Sequence, residues 1–238
     1  MQNPAPVHAE APPDAAASTT CTEYTATVAG IDVSKYQGVV DWPAVQKAGV
    51  SFAFIRVSDG LDSPDEQFAE NWAGAQAAGL LRGAYQYFRP SEDAVAQAAL
   101  FMRAVRRLRP GDLPPVLDVE TLDDLPAKDA VQQIRRWLSY IAKSTGRTPI
   151  LYTNSSTWTA LGAPDLSAYL LWMARWEAQC PPPLAGFARW HFWQYANDGQ
   201  VDGIEGAVDL DWFNGTLADL RLLAGHKPPV RRRLSPPK

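Results

Sequence analysis

Eight short β-type runs, several of them nearly continuous and apolar, dominate the middle of this 238-residue chain. They are VAGIDVS (28–34), VSFAFIRV (50–57), LLRGAYQYF (80–88), PPVLDVE (114–120), TPILYTN (148–154), AYLLWMARW (168–176), RWHFWQYA (189–196) and AVDLDWF (207–213). Runs of this kind read as strands buried on both faces, the pattern of a parallel sheet covered by helices. The segments between them carry helix signals. Asp65–Gly79 reads as a helix ending at a glycine, Ser91 opens another with a capping residue followed by acids, and Pro126–Thr145 closes before Gly146. Shorter helical turns fit 42–48 and 215–224. The stretches after the fifth, sixth and seventh runs are too short or too proline-rich for full helices, PPPLAGF most plainly. The alternation predicts an α/β fold: an irregular (β/α)8 TIM-like barrel with an incomplete helix set in its second half. One domain is expected over 28–224, between a flexible segment over 1–27 and a basic, proline-rich tail over 225–238.

Charge and composition narrow the function. With 22 Lys+Arg against 26 Asp+Glu the formal charge is −4, without the basic footprint of a nucleic-acid binder. No stretch approaches the roughly 20 apolar residues of a membrane span. The first twenty residues lack a basic start and an apolar run, so they are not a signal peptide as written. They suit the mature end of an exported protein after signal removal, and a secreted or periplasmic location is expected. Cys21 and Cys180 are the two cysteines. A bridge between them would close a long loop, worth about 5 kcal/mol in the chain-entropy model; two unpaired thiols fit the residues equally well.

In a barrel of this type the chemistry sits at the carboxyl ends of the strands. The first run carries Asp32, the fourth Asp118 and Glu120, the eighth Asp209 and Asp211. Acids two residues apart on a strand face one side, and acids closing apolar runs need partners or a task. Clustered carboxylates serve either a hard cation or acid/base work on a glycosidic bond. Their neighbours here are Tyr, Trp and Gln rather than further oxygen ligands, so no metal and no cofactor is expected. Tyr85 and Tyr87 share a face of the third run, Tyr152 lies near the end of the fifth, Trp172 and Trp176 share a parity on the sixth, and Gln194 lies near the end of the seventh. Aromatic faces of this kind stack on sugar rings, while Gln and Asp bond their hydroxyls. Trp42 and Trp190 read as packing.

GIDVSKYQG, FAFIRVSDG, GAYQYF, PVLDVE, ILYTN and WQY…VDLDWF together resemble glycoside hydrolase family 25, the lysozymes (N-acetylmuramidases), from about Gly30 to Phe213. The resemblance implies an incomplete barrel that hydrolyses the β-1,4 bond between N-acetylmuramic acid and N-acetylglucosamine in peptidoglycan glycan strands. Motif by motif, it implies Glu120 as general acid, Asp118 as its partner carboxylate, and Asp32 and Asp209 as the other two acids of the site. Tyr85, Tyr152, Trp172 and Gln194 fall at substrate-contacting positions. The family usually has His where this chain has Gln86, and Asn where it has Asp211; by parity Gln86 points away from the cleft, whereas Asp211 is grouped with the substrate-binding residues. A monomer is expected. Two other readings stay open on the residues: a sugar-binding barrel that does not cut, and a hydrolase of a related N-acetylglucosamine polymer such as chitin, although the longer DxxDxDxE run of chitin hydrolases is absent.

Overall fold

The computed structural model describes residues 26–176, 178, 180–181 and 184–227. The segments expected over 1–27 and 225–238 lie almost wholly outside these. The elements run β1 (Thr27–Val33), α1 (Trp42–Lys47), β2 (Phe52–Asp59), β3 (Ser63–Pro64), α2 (Phe68–Ala77), β4 (Leu81–Tyr87), α3 (Ala94–Val105), β5 (Val116–Asp118), α4 (Ala127–Thr145), β6 (Ile150–Asn154), α5 (Ser155–Ala160), β7 (Leu170–Ala174), β8 (Phe192–Gly199), β9 (Val208–Asn214) and α6 (Leu217–Leu223). The eight expected strands are present, with β3 added as a short hairpin partner of β2. Pairing of β1 with both β2 and β9 closes the eight into a barrel. The longer helices, α2, α3 and α4, all lie in the first half of the barrel; α1, α5 and α6 have six, six and seven residues.

One strand departs from an all-parallel barrel. β9 runs antiparallel to both β8 and β1. The connection from β8 is too short to carry a crossover helix, so the chain returns along its neighbour as a hairpin.

The inward-facing residues grade from apolar to polar along several strands. Val28, Gly30 and Asp32 follow one another on β1; Phe52, Phe54 and Arg56 on β2; Val116, Asp118 and then Glu120 on and beyond β5. On β9 the same gradient reads backwards, from Asp209 to Phe213. The lower barrel is filled by aromatic rings: Phe54 stacks on Trp172 with centroids 4.4 Å apart, and Phe192 meets Phe54 edge-on at 5.0 Å. Glycine makes the room. A Cβ on Gly30 would lie 2.2 Å from the Phe52 ring, and one on Gly83 2.3 Å from Phe54. Leu220 of α6 and Ala224 just beyond it pack into the same interior cluster. A second apolar layer joins the outer barrel face to the helices and includes Trp42, Trp137 and Trp190. Gln86 faces that layer: its Oε1 accepts from Trp137 Nε1 at 2.8 Å and its Nε2 donates to Ser58 Oγ at 3.0 Å.

Candidate active site

The polar ends of these strands line one groove at the barrel mouth. Its walls are Asp32, Ser34, Tyr36, Gln37, Arg56, Tyr85, Tyr87, Asp118, Glu120, Tyr152, Trp172, Trp176, Gln194, Asn197 and Asp209, around a cavity of about 380 Å³. Asp209 belongs there because β9 is reversed: its register places Asp209 directly opposite Asp32.

The carboxyls form two contacting groups. Asp118 and Glu120 are in hydrogen-bonding reach of each other, projecting from one side of β5 and its extension while Val119 is buried behind them. Burial raises both above the ordinary carboxylate range, Asp118 the more strongly, with the Glu120 charge adding to it and Arg56 opposing it. Asp118 is 4 % exposed, and its Oδ1 has no donor, whereas Glu120 opens onto the groove. Two carboxyls this close do not titrate independently.

Asp32 is the centre of the second group. Its Oδ2 accepts from Gln194 Nε2 at 2.8 Å, and its carboxyl also meets those of Asp209 and Asp211. Burial, then the charges of Asp209 and Asp211, hold Asp32 well above the usual range. Gln194 braces the group: its Oε1 accepts from Tyr152 Oη at 2.9 Å and from Trp176 Nε1 at 3.0 Å.

Four of the residues expected at the site lie deeper than an open groove wall. Asp211 does not line the groove; it is completely buried beneath it, accepting from Trp172 Nε1 at 2.8 Å. Its position midway along β9, between Gly30 and Gln194 in the register, puts it one layer below the mouth. Trp172 contributes an edge to the groove floor and no open face, being 1 % exposed and stacked on Phe54. Tyr85 and Tyr152 are likewise buried and reach the groove only at their edges. Tyr87 lies under the Arg89 guanidinium at 4.7 Å.

The exposed aromatic faces are those of Trp176, 45 % exposed, and Tyr36, 77 % exposed. Sequence reading missed Tyr36. It sits inside a capping box in which Ser34 and Gln37 bond reciprocally, and its ring lies 5.0 Å from the Arg56 guanidinium. Arg56 is held by Asp65 at 2.9 Å, and Asp65 also accepts from Lys35 N at 2.9 Å. The Ser34-x-x-Gln37 spacing and the inward parity of Arg56 were the available signals. Cys180 is disulfide-bonded; Cys21 lies outside the described residues.

Residues 31–204 match the glycosyl hydrolases family 25. The chain belongs to that family. Within glycosyl hydrolase family 25 it is similar to Lysozyme M1 of Streptomyces globisporus, 36 % identical over 215 residues that span 85 % of this chain and 73 % of that protein. It is 42 % identical over 200 residues to the uncharacterised protein YegX of Escherichia coli (strain K12), covering 82 % of this chain and 72 % of the other. The bacterial lysozyme from Streptomyces coelicolor superposes with a TM-score of 0.80 at 35 % identity, over 84 % of this chain and 98 % of that one.

Membership of a glycosyl hydrolase family makes the ionisation of the groove the property to test. Asp209 is raised to about 6, by burial and the Glu120 charge, against a partly offsetting bond from Asp32. The folded chain therefore retains a proton that the unfolded chain releases near pH 4. Stability from this group is present below about pH 4 and lost as pH rises through about 6. Asp209→Asn should raise Tm at pH 7 by a few degrees, on the order of 1 kcal/mol after discounting for solvent in the groove, and leave Tm unchanged at pH 4. Calorimetric scans of both proteins at the two pH values check this; a variant less stable than wild type at pH 7 would contradict it.

Proposed function

We propose that this family 25 hydrolase is a muramidase, cutting the β-1,4 bond between N-acetylmuramic acid and N-acetylglucosamine in peptidoglycan. The observation that carries the reading is the Asp118–Glu120 pair, buried on one side and open to the groove on the other. Protonated Glu120 donates to the leaving glycosidic oxygen as the sugar ring takes on positive charge. Asp118 Oδ1, buried and without a donor, accepts the N–H of the 2-acetamido group and turns its carbonyl toward the anomeric carbon, or, ionised, stabilises the ring's charge directly. Asp32 and Asp209 add negative potential on the far side of the site, which opposes ionisation of Glu120 and favours a cationic transition state. Trp176 and Tyr36 supply stacking faces. The similarity to Lysozyme M1 supports the same reading.

The disulfide at Cys180 favours an oxidising compartment, in keeping with an exported enzyme that meets the wall from outside the cytoplasm. Among the described residues no helix is long and apolar enough to cross a membrane.

The test is release of soluble fragments from purified peptidoglycan. Turbidity should fall, and mass analysis after borohydride reduction should find muramitol at the new ends. Intact turbidity with retained binding would favour a non-cutting barrel; reduced glucosamine at the ends would mean that the other bond is cut.

A further inference from the structure

The groove continues past Glu120 into a second and larger cavity of about 670 Å³. Glu120, Tyr152, Trp176 and Asn197 line both parts, so a glycan held for protonation by Glu120 extends into each. The two parts differ sharply in charge. Asp32, Asp118 and Asp209 all lie in the first, where the cation Arg56 is neutralised by Asp65 at 2.9 Å. The second is walled by Asn154, Ser155, Ser156 and Arg175, and Glu120 is the lone acid among its described lining residues.

Arg175 is set rigidly at this wall. Its N donates to Gln194 O at 3.0 Å and its carbonyl accepts from Trp193 Nε1 at 2.8 Å, so the backbone just beyond β7 is clamped to β8. Its side chain is exposed and has no carboxylate partner among the described residues, unlike Arg56, Arg82, Arg89 and Arg136. A cation positioned by its backbone, and without a carboxylate partner among the described residues, is available to a substrate anion beside the groove.

Resting on the muramidase reading, we propose that Arg175 binds a carboxylate carried on the lactyl arm of a muramic residue in the second part of the groove. On a bare glycan this is the lactyl carboxylate itself; on an intact strand it is a carboxylate of the attached peptide stem. The placement answers an electrostatic problem. An anionic strand is repelled by the acids of the first part, and Arg175 supplies the compensating attraction on the other side of Glu120. It thereby fixes which sugars flank the scissile bond.

A double-mutant cycle tests this by calorimetry in the Glu120→Gln background, which keeps the ligand uncut. The probes are a tetrasaccharide of two N-acetylglucosamine–N-acetylmuramic acid repeats as free acid, its methyl ester, and the same glycan bearing peptide stems. Esterification should weaken binding about tenfold, as expected for a charge-assisted hydrogen bond, and adding Arg175→Gln should abolish the difference between acid and ester. Arg175→Lys should restore part of it. Loss on the free acid assigns the lactyl carboxylate; equal loss on the peptide-bearing glycan assigns the stem. The proposal is overturned if acid and ester bind alike, or if esterification costs the same with and without Arg175. Failure of the muramidase reading is distinguishable, because wild-type protein would then leave purified walls uncut.

Discussion

Glu120→Gln is expected to lower kcat on purified peptidoglycan by about 10³-fold, the range for losing a positioned general acid. The amide preserves size and hydrogen bonding but cannot deliver a proton to the leaving oxygen. Glu120 opens onto solvent in the groove, so the fold should survive, with an unchanged circular dichroism spectrum and a Tm within a few degrees of wild type. KM should move far less than kcat, because the proton is transferred only in the transition state. In the wild type, kcat/KM should fall as pH rises through the apparent pKa of the Asp118–Glu120 pair, which burial holds above the ordinary carboxylate range. Clearing of cell walls at the wild-type rate by the variant would remove Glu120 from the mechanism.

Asp112→Asn should be among the most destabilising single changes in the chain, although it lies at the opposite end of the barrel. Arg82 and Asp112 are 4 % and 2 % exposed and paired at 2.7 Å. The guanidinium also lies 3.9 Å over the Trp72 ring, and Asp112 Oδ2 accepts from Arg109 N at 2.7 Å. Replacing the carboxylate by an amide leaves the arginine charged and buried, a loss of about 3–5 kcal/mol. For a chain of this length that lowers Tm by roughly 10 °C. Arg82→Met with Asp112→Leu should recover part of the loss, since no orphan charge remains. Thermal unfolding of the three proteins checks the order; a single variant as stable as wild type would show that solvent reaches Arg82. Specific activity well below the melting range should be unchanged.

Much of the architecture was legible because burial on both faces leaves a mark in the residues themselves. Runs such as VSFAFIRV have no polar face to offer solvent, so they had to be interior strands, and the glycine after Thr145 had to end a helix. The pairing of Asp118 with Glu120 was legible for a similar reason: a two-residue period admits one geometry on an extended chain. The aromatic residues were not sorted in this way. Trp172 and Trp176 share a parity and differ by two pleats, yet one is 1 % and the other 45 % exposed. Depth along the barrel axis, set by where Phe54 and Asp211 fill the interior, decides which ring can meet a sugar. Tyr36 was overlooked because its position depends on Arg56 and Asp65, which the chain brings together only after β2 has turned back through β3.

Sequence by itself determined the strands, the parity of their residues and the presence of acids in three of them. It did not determine strand direction. Asp209 stands near the start of β9, and in an all-parallel barrel it would lie at the floor, far from Glu120. The tertiary structure reverses β9, so that the start of this strand meets the ends of the others and Asp209 faces Asp32. The reason is one of closure: the last strand must fill the gap between β8 and β1, and a short return connection can do so only antiparallel.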